Sequence, residues 1–219
     1  MLRDSTCGIL KQWQCPVMPG ANRRVNICLL RPAAGRRGEL TLAKKDNLIL
    51  IGMPASGKST VGVILAKVLG FDFIDSDLLI QRREGKRLRE IFLEKGVEGF
   101  IRVENDVNAS IRASRSVIAT GGSAVYGEEA MKHLRDIGAV IYLQVDFDVI
   151  QKRLRNIRQR GVVLREGQTL RDLYDERTVL YEKYADLIVR EGSGEVEEVV
   201  ARIIRTVRAA SEKQKDSEK

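Results

Sequence analysis

The chain has 219 residues, of which 43% are hydrophobic and 31% charged, enough for one α/β domain with its own core. Its net charge of +8 would suit a nucleic-acid or acidic-membrane partner, but residues 1–45 alone hold nine Lys or Arg against two acids. That segment carries +7, so residues 46–219 carry only +1, which argues against a nucleic-acid-binding domain.

Residues 1–45 form a basic leader outside the predicted domain. The leader holds all three cysteines (Cys7, Cys15 and Cys28), whose spacing matches no zinc pattern and whose odd number gives no disulfide framework. We interpret it as a disordered tail or an over-extended translation start. No cysteine follows residue 28, and no apolar run reaches the roughly 18–20 residues of a membrane span, so we expect a cytoplasmic protein without a membrane partner.

From Asp46 onward, short apolar runs alternate with segments that have apolar residues at helical spacing. This alternation predicts a parallel sheet with right-handed crossovers, whose ligands bind at the carboxyl ends of the strands. We place one α/β domain at 46–210 and a polar tail at 211–219. The predicted strands are 47–53, 71–75, 116–122, 139–145 and 187–191, and the predicted helices are 59–70, 87–113 (interrupted near 96–99), 127–137, 146–156, 169–186 and 196–207.

The segment after the first strand matches G-x-x-x-x-G-K-[ST] at every fixed position. Its glycines let backbone N–H groups surround phosphates at the positive end of a helix dipole. Lys58 is placed to reach the β- and γ-phosphates, and the Ser59 hydroxyl to ligate Mg²⁺. Strand, motif and helix together predict a nucleoside triphosphate site, with ATP bound as its Mg²⁺ complex. The residues of this phosphate loop predicted to bind ATP are Gly52, Pro54, Ala55, Ser56, Gly57, Lys58, Ser59 and Thr60.

Two acids, Asp75 and Asp77, lie one residue apart at the end of the second predicted strand. Parallel winding places that end beside the phosphate loop or one strand away. One carboxylate is then placed to accept a hydroxyl proton or to hold Mg²⁺ through water, and the other to bind hydroxyls of the same acceptor. The simpler alternative is that Asp77 only caps a helix beginning at Leu78 while Asp75 is solvated.

Two later segments are further candidates. Gly121 and Gly122 end the third strand and let a substrate approach the backbone closely, unless they form an ordinary strand-to-helix turn. Residues 157–168 have weak periodicity and many charges, which is typical of a loop or lid. Arginines in and before it can neutralise charge on a transferring phosphoryl group, although a solvated helix face is the simpler interpretation for any one of them. These arginines are Arg153, Arg155, Arg158 and Arg160.

Residues 46–207 resemble the shikimate kinases, a family within the nucleoside monophosphate kinase-like P-loop proteins. The resemblance rests on "GMPASGKSTVG", "DFIDSD", "GFIRVE", "ATGGS", an arginine-bearing lid and "ERTVLYEKYAD", in the family's order and at about its spacing. "DSD" followed by "TGG" separates this family from adenylate and cytidylate kinases. The resemblance implies a three-layer P-loop NTPase-type α/β fold, with a five-stranded parallel sheet flanked by helices and a mobile lid.

The resemblance also implies roles for individual residues. Asp75 would be the catalytic base or the Mg²⁺-linked acid, with Ser59 as the other metal ligand. Lys58 and the lid residue Arg160 would be catalytic, and Arg153 would lie against the adenine. The residues implied on the acceptor side are Asp77, which binds ring hydroxyls, Gly121 and Gly122, Arg177, which binds the substrate carboxylate, and Arg102.

The chain departs from the family pattern at three places. The family's carboxylate-binding arginine directly after the Phe of "GFR" is replaced by Ile101, and Arg102 follows about 100° further around the helix. The lid reads "RGVVL" at 160–164 instead of "RPLL", and the third glycine of "GGG" is Ser123. The first departure removes half of a charge-assisted clamp and so bears on the identity of the acceptor.

Three functions fit these observations. The first is a monomeric kinase that transfers the γ-phosphoryl of MgATP to shikimate. The second is a related kinase whose hydroxylated acceptor lacks a ring carboxylate, as Ile101 would allow. The third is a nucleotide-dependent regulatory or nucleic-acid-binding module that uses the basic leader. The near-neutral domain and the acceptor-side motifs favour a kinase.

Overall fold

The computed structural model describes residues 46–154, 164–191 and 196–217. Strands and helices alternate along these ranges, as the sequence predicts. The strands are β1 (Asn47–Ile51), β2 (Asp72–Asp75), β3 (Ser116–Ala119), β4 (Gly138–Gln144) and β5 (Leu187–Arg190). The helices are α1 (Lys58–Leu69), α2 (Ser76–Glu84), α3 (Leu88–Ser110), α4 (Glu128–Ile137), α5 (Phe147–Arg153), α6 (Leu170–Tyr184) and α7 (Val196–Ser217), with a 3₁₀ turn at Ala124–Tyr126.

The five strands of the described ranges form one parallel sheet in the order β2-β3-β1-β4-β5. The central strand is β1, where Leu48 pairs with Val117 of β3 on one side and with Ala139 of β4 on the other. Every residue of β1 is buried. Because both faces of the sheet are covered, this strand is a continuous apolar run and not an alternating one.

Helices cover both faces of the sheet and build two cores. On one face, Leu65 of α1 and Ile203 of α7 pack against the sheet. On the other face, Met131 of α4 and Leu173 of α6 do so. The predicted three-layer α/β fold with a five-stranded parallel sheet is confirmed. In the described part of the chain, no helix has both the length and the apolar character needed to cross a membrane.

The carboxyl ends of β1, β2 and β3 meet at one edge of the sheet. There β1 leads into the phosphate loop, β2 ends at Asp75, and β3 leads into Gly121 and Gly122. Because β3 lies between the other two strands, Asp75 stands one strand away from the strand that carries the phosphate loop. The predicted motifs therefore share the edge at which open α/β sheets bind their ligands.

The start of α2 corrects the simpler interpretation of the paired acids. The helix begins at Ser76, and Asp75 is its N-cap, since the Asp75 carboxylate accepts the backbone N–H of Asp77 at 3.0 Å. Asp77 therefore lies inside the first turn and does not cap a helix that begins at Leu78. Asp75 caps α2, and the Asp77 carboxylate remains available to bind a ligand.

Two other predicted boundaries agree with the structure, and the end of the last helix does not. The predicted interruption of α3 is a break at Gly96, whose φ of +67° and ψ of −173° are not helical. Gly70 ends α1 in the left-handed region, as expected of a C-cap. The last helix, α7, continues to Ser217 and includes most of the predicted polar tail. The predictions for the leader 1–45 and for Arg155, Arg158 and Arg160 lie outside the described residues.

Candidate active site

A cavity of about 490 Å³ opens at the carboxyl edge of the sheet, between the phosphate loop, the end of β3 and α6. It brings together most of the residues that the sequence singled out for nucleotide and acceptor. The predicted residues that line it are Pro54, Ala55, Gly57, Lys58, Ser59, Thr60, Asp77, Gly121, Gly122, Arg153 and Arg177.

The phosphate loop has the backbone that its glycines predict. Gly52 has a φ of +146°, and a Cβ on it would lie 2.7 Å from the Leu143 carbonyl oxygen, so only glycine fits. Gly57, with φ +86°, turns the chain into the first turn of α1. The backbone N–H groups of that turn have no partner within the helix, and the helix dipole makes this end attractive to phosphate.

Lys58 lies inside the curve of the loop. Its ammonium donates hydrogen bonds to the carbonyl oxygens of Gly52 and Met53, each at 2.8 Å, and to the Ser56 hydroxyl at 3.4 Å. Burial lowers the pKa of Lys58 to about 8, although the carboxylates of Asp77 and its neighbours oppose this. The loop thus holds a concentrated positive charge at the place where the motif predicts the β- and γ-phosphates.

Asp75 is joined directly to the phosphate-loop helix. The Ser59 hydroxyl donates to Asp75 Oδ2 at 2.8 Å, while Oδ1 accepts the N–H of Asp77. Two oxygen ligands side by side suit Mg²⁺, which in phosphoryl-transfer sites takes few protein ligands and completes its shell with phosphates and water. Among the described residues there is no cluster of three or more His, Cys, Asp or Glu side chains that would make a metal cage of protein alone.

The acceptor side is built around Gly121. A Cβ on this residue would lie 2.9 Å from Asp77 Oδ1 and 2.1 Å from Glu104 Oε1, so two carboxylates approach a backbone that must lack a side chain. Burial and the nearby charge of Asp75 raise the pKa of Asp77 to about 6. Asp77 is therefore mainly ionised at neutral pH and able to accept hydrogen bonds from hydroxyl groups.

Arg177 of α6 also lines the cavity. Its side chain is 1% exposed, its Nε donates a long hydrogen bond of 3.4 Å to the Tyr126 hydroxyl, and its guanidinium lies 5.2 Å from the centre of the Tyr126 ring. Its Nη2 has no hydrogen-bond partner in the described part of the structure. A buried guanidinium with a free donor at a cavity suits a ligand carboxylate.

Gly122 is held between the nucleotide and acceptor sides of the cavity. A Cβ on it would lie 2.7 Å from the Pro54 ring and 3.1 Å from Arg177 Nη1. Its carbonyl oxygen accepts a hydrogen bond from the buried Tyr181 hydroxyl at 2.6 Å. The glycine pair is therefore a close-packed stretch of backbone in the turn between β3 and the 3₁₀ turn.

Glu104 also lines the cavity, although it was not among the residues predicted from sequence to bind a ligand. It is 1% exposed, and its Oε2 accepts a hydrogen bond from the Ser123 hydroxyl at 2.5 Å. Burial raises its pKa to about 7, against the opposing effect of that hydrogen bond. The available signal was an acid on the apolar face of α3, four residues after Phe100 and beside Val103.

Two predicted arginines have different outcomes, and a third is not described. Arg102 is exposed and does not line the cavity, because the helical rotation that turns Phe100 and Glu104 inward turns Arg102 outward. The structure thus does not place Arg102 among the residues around the cavity. Arg153 lines the cavity, forms a two-pronged ion pair with Glu191 at 2.9 Å for both contacts, and donates to the Ala55 carbonyl. Arg160 lies outside the described residues.

Comparison with known proteins gives one consistent result. The family model for shikimate kinase matches residues 54–208. The shikimate kinase of Thiobacillus denitrificans is 41% identical over 68% of this chain and 82% of its own length, and that of Thermodesulfovibrio yellowstonii is 36% identical over 73% and 93%.

Solved structures agree with the sequence comparison. A shikimate kinase from Acinetobacter baumannii in complex with shikimate superposes with a TM-score of 0.68 at 31% identity, covering 75% of this chain and 93% of that one. The Aquifex aeolicus shikimate kinase gives a TM-score of 0.65 at 32% identity over 75% and 98%. This chain belongs to the shikimate kinase family of ATP-dependent kinases, which phosphorylate a hydroxyl group.

Proposed function

We propose that this protein transfers the γ-phosphoryl group of ATP to a ring hydroxyl of shikimate, as a cytoplasmic monomer. The observation that carries the proposal is the position of the two acids. Asp75 is hydrogen-bonded to Ser59 on the nucleotide side, while Asp77 lines the cavity together with the buried Arg177. The cavity thus offers a phosphate-binding loop and a buried arginine suited to a carboxylate, and the candidate base Asp75 is held beside it through Ser59.

The nucleotide end follows from the phosphate loop. The first turn of α1 and Lys58 supply the positive charge that the β- and γ-phosphates require. On phosphate binding, the Lys58 ammonium exchanges hydrogen bonds to the Gly52 and Met53 carbonyls for charge-assisted ones to phosphate oxygens. Arg153 and Glu191 line the far end of the cavity, where the adenine is expected.

Ser59 and Asp75 are the residues that would hold Mg²⁺. Their oxygens already lie 2.8 Å apart, and both are hard oxygen ligands of the kind this ion takes. The ion would neutralise charge on the phosphates. Since Asp75 is also fixed by the backbone N–H of Asp77, the protein positions the carboxylate without help from substrate.

The acceptor end follows from Asp77, Arg177 and the glycine pair. The ionised Asp77 accepts hydrogen bonds from ring hydroxyls, and Arg177 pairs with the ring carboxylate through its free donor. This orientation directs one hydroxyl toward Asp75. As the hydroxyl oxygen bonds to the γ-phosphorus, the bond from that phosphorus to the bridging oxygen breaks and ADP leaves, while Asp75 takes the hydroxyl proton. The chemistry is largely positioning and charge stabilisation, to which Arg160 in the lid would contribute.

A second acceptor class is favoured by one observation. Ile101 stands where the family has an arginine, so among the described residues Arg177 is the cation best placed for a carboxylate. The loss of this arginine would weaken the binding of a hydroxylated metabolite without a ring carboxylate less than it weakens the binding of shikimate. The glycine pair and the two acids serve both acceptors equally.

The deciding experiment is an ADP-release assay with MgATP. Shikimate at or below millimolar concentration should produce ADP and phosphorylated shikimate well above the idle hydrolysis measured without acceptor. A panel of hydroxy acids and neutral polyols at the same concentration is the comparison. Turnover of a neutral polyol but not of shikimate would replace the proposed acceptor with the second class, and turnover of neither would contradict the proposal.

A further inference from the structure

Ser123 and Glu104 form a buried pair at the acceptor side of the cavity. Ser123 directly follows the glycine pair and is 4% exposed, and both residues line the cavity. The Ser123 hydroxyl is engaged with Glu104 Oε2, while Glu104 Oε1 has no hydrogen-bond partner in the described part of the structure. A buried carboxylate with one bound and one free oxygen is costly unless something else supplies a donor.

The free oxygen lies beside the acceptor-binding surface. Glu104 Oε1 and Asp77 Oδ1 both come within 3 Å of the same point, where a Cβ of Gly121 would stand. A ligand ring that rests on the Gly121 backbone is therefore within reach of two carboxylate oxygens. Ring hydroxyls are donors of the right kind for both of them.

The charges around Glu104 come from several elements. Asp77 on α2 opposes its ionisation, whereas Arg177 on α6 and Lys58 on α1 favour it. The buried Tyr181 on α6 also interacts with it. Ser123 adds the hydrogen bond that holds one oxygen and favours the ionised carboxylate, which leaves the second oxygen oriented and unpaired.

We propose that Ser123 is a positioning residue for acceptor binding, whose hydroxyl orients the Glu104 carboxylate so that Oε1 accepts a hydrogen bond from an acceptor hydroxyl. The inference rests on the proposed function, since it takes shikimate as the acceptor. The pair gives the site a second hydroxyl-binding oxygen beside Asp77. It strengthens the hold on the hydroxyl face of the ring in a chain where Ile101 has removed a cation from the carboxylate end.

The test compares Ser123→Ala with wild type in the full-length protein. Loss of the hydroxyl should raise the KM for shikimate about tenfold and leave kcat and the KM for ATP within about twofold. Ser123→Thr keeps the hydroxyl and should restore most of the shikimate affinity. The matched control is Ser116→Ala, which removes an equally buried hydroxyl from the amino end of β3, remote from the cavity, and should leave both KM values unchanged.

Two further readouts separate positioning from a structural role. The kcat/KM for shikimate should fall at low pH as Glu104 is protonated, and Ser123→Ala should move that limb to higher pH, because its hydroxyl favours the ionised form. In a Glu104→Gln background, Ser123→Ala should add little to the loss of shikimate affinity. An independent structural effect would instead add fully in the double variant.

The outcomes distinguish this inference from the proposed function. Wild-type protein that releases no ADP with shikimate would overturn the proposed function and, with it, the inference. Wild-type turnover combined with an unchanged shikimate KM and pH profile in Ser123→Ala would overturn the inference alone. A rise in both KM values together with a lower Tm would also count against it.

Discussion

The Ser59 hydroxyl donates a hydrogen bond to Asp75 Oδ2 across 2.8 Å, although the two residues are 16 positions apart in the chain. Ser59 lies in the first turn of α1 and Asp75 ends β2, so the contact spans the nucleotide and acceptor sides of the cavity. The same carboxylate caps α2 through the N–H of Asp77. A single side chain thus links the phosphate loop, the candidate metal position and the acceptor acid.

Replacing this carboxylate tests its assignment as the base. Asp75→Asn should lower kcat by about 10² or more, because an amide accepts no proton and binds Mg²⁺ weakly. Asn is as good an N-cap as Asp, so α2 should persist. Steady-state ADP release with circular dichroism checks both points. The control is Asp72→Asn at the exposed start of β2. ADP release at the wild-type rate in Asp75→Asn would contradict the assignment.

Arg177→Lys tests the carboxylate contact while keeping the charge. A lysine cannot present the planar two-donor edge of a guanidinium, so the KM for shikimate should rise about 10- to 100-fold with a smaller change in the KM for ATP. Initial-rate kinetics against both substrates gives the comparison. Arg171→Lys on the exposed face of the same helix, where Arg171 pairs with Asp175, should have no effect on either KM. Equal shikimate KM values in the two variants would remove Arg177 from the acceptor site.

Ile101→Arg tests whether the missing cation limits acceptor affinity. If an arginine here adds a second charge-assisted contact to the ring carboxylate, the KM for shikimate should fall about threefold or more. Ile101→Leu changes shape without charge and should behave as wild type. An Ile101→Arg variant with unchanged or weaker shikimate binding, but retained fold by circular dichroism, would show that the site does not use this position for the carboxylate.

The stability of the protein should depend on pH through Glu104. Its pKa is raised from 4.5 to about 7 in the folded state, so the folded protein binds more protons than the unfolded chain between these values. The free energy of unfolding therefore falls as pH rises through about 4.5 to 7 because of this group.

Glu104→Gln removes this titrating group. The stability of the protein should then rise while its affinity for shikimate falls. At pH 8 the variant should unfold several degrees above wild type, and the difference should shrink toward pH 4.5. Its shikimate KM should nevertheless rise. Thermal unfolding across this pH range checks the first point, with Glu98→Gln on the exposed face of α3 as the control. A Tm difference that does not vary with pH would contradict the assignment of a raised pKa to Glu104.

Arg160 remains a prediction from sequence. Arg160→Ala should lower kcat far more than it lowers ATP affinity, because a lid arginine acts on the transferring phosphoryl group and closes the site against water. Turnover and nucleotide titration measured on the same preparation give the two values. Arg171→Ala on the exposed face of α6 is the control. Similar turnover in the Arg160 variant and wild type would remove this residue from the catalytic group.

Local sequence motifs predicted most of the fold and much of the candidate site. The phosphate loop could be identified from sequence because its function depends on consecutive backbone conformations, such as the positive φ of Gly57, that only certain residues allow. Local sequence patterns likewise predicted the five strands, the break at Gly96 and the cap at Gly70. The closeness of Asp75 and Asp77 also followed from their spacing, but only the structure shows that Asp75 and not Asp77 caps α2.

Only the tertiary structure decided which side chains meet across the cavity. Glu104 and Ser123 are 19 residues apart on different elements, and periodicity reports which face of a helix is buried but not what lies against that face. Asp75 lies within hydrogen-bond distance of Ser59 on α1, although β3 separates β2 from β1 in the sheet. The sequence determined which chemical groups the site contains. Packing determined which of them bind each other. In the described part of the chain it leaves the acceptor Glu104 Oε1 and the donor Arg177 Nη2 without a hydrogen-bond partner.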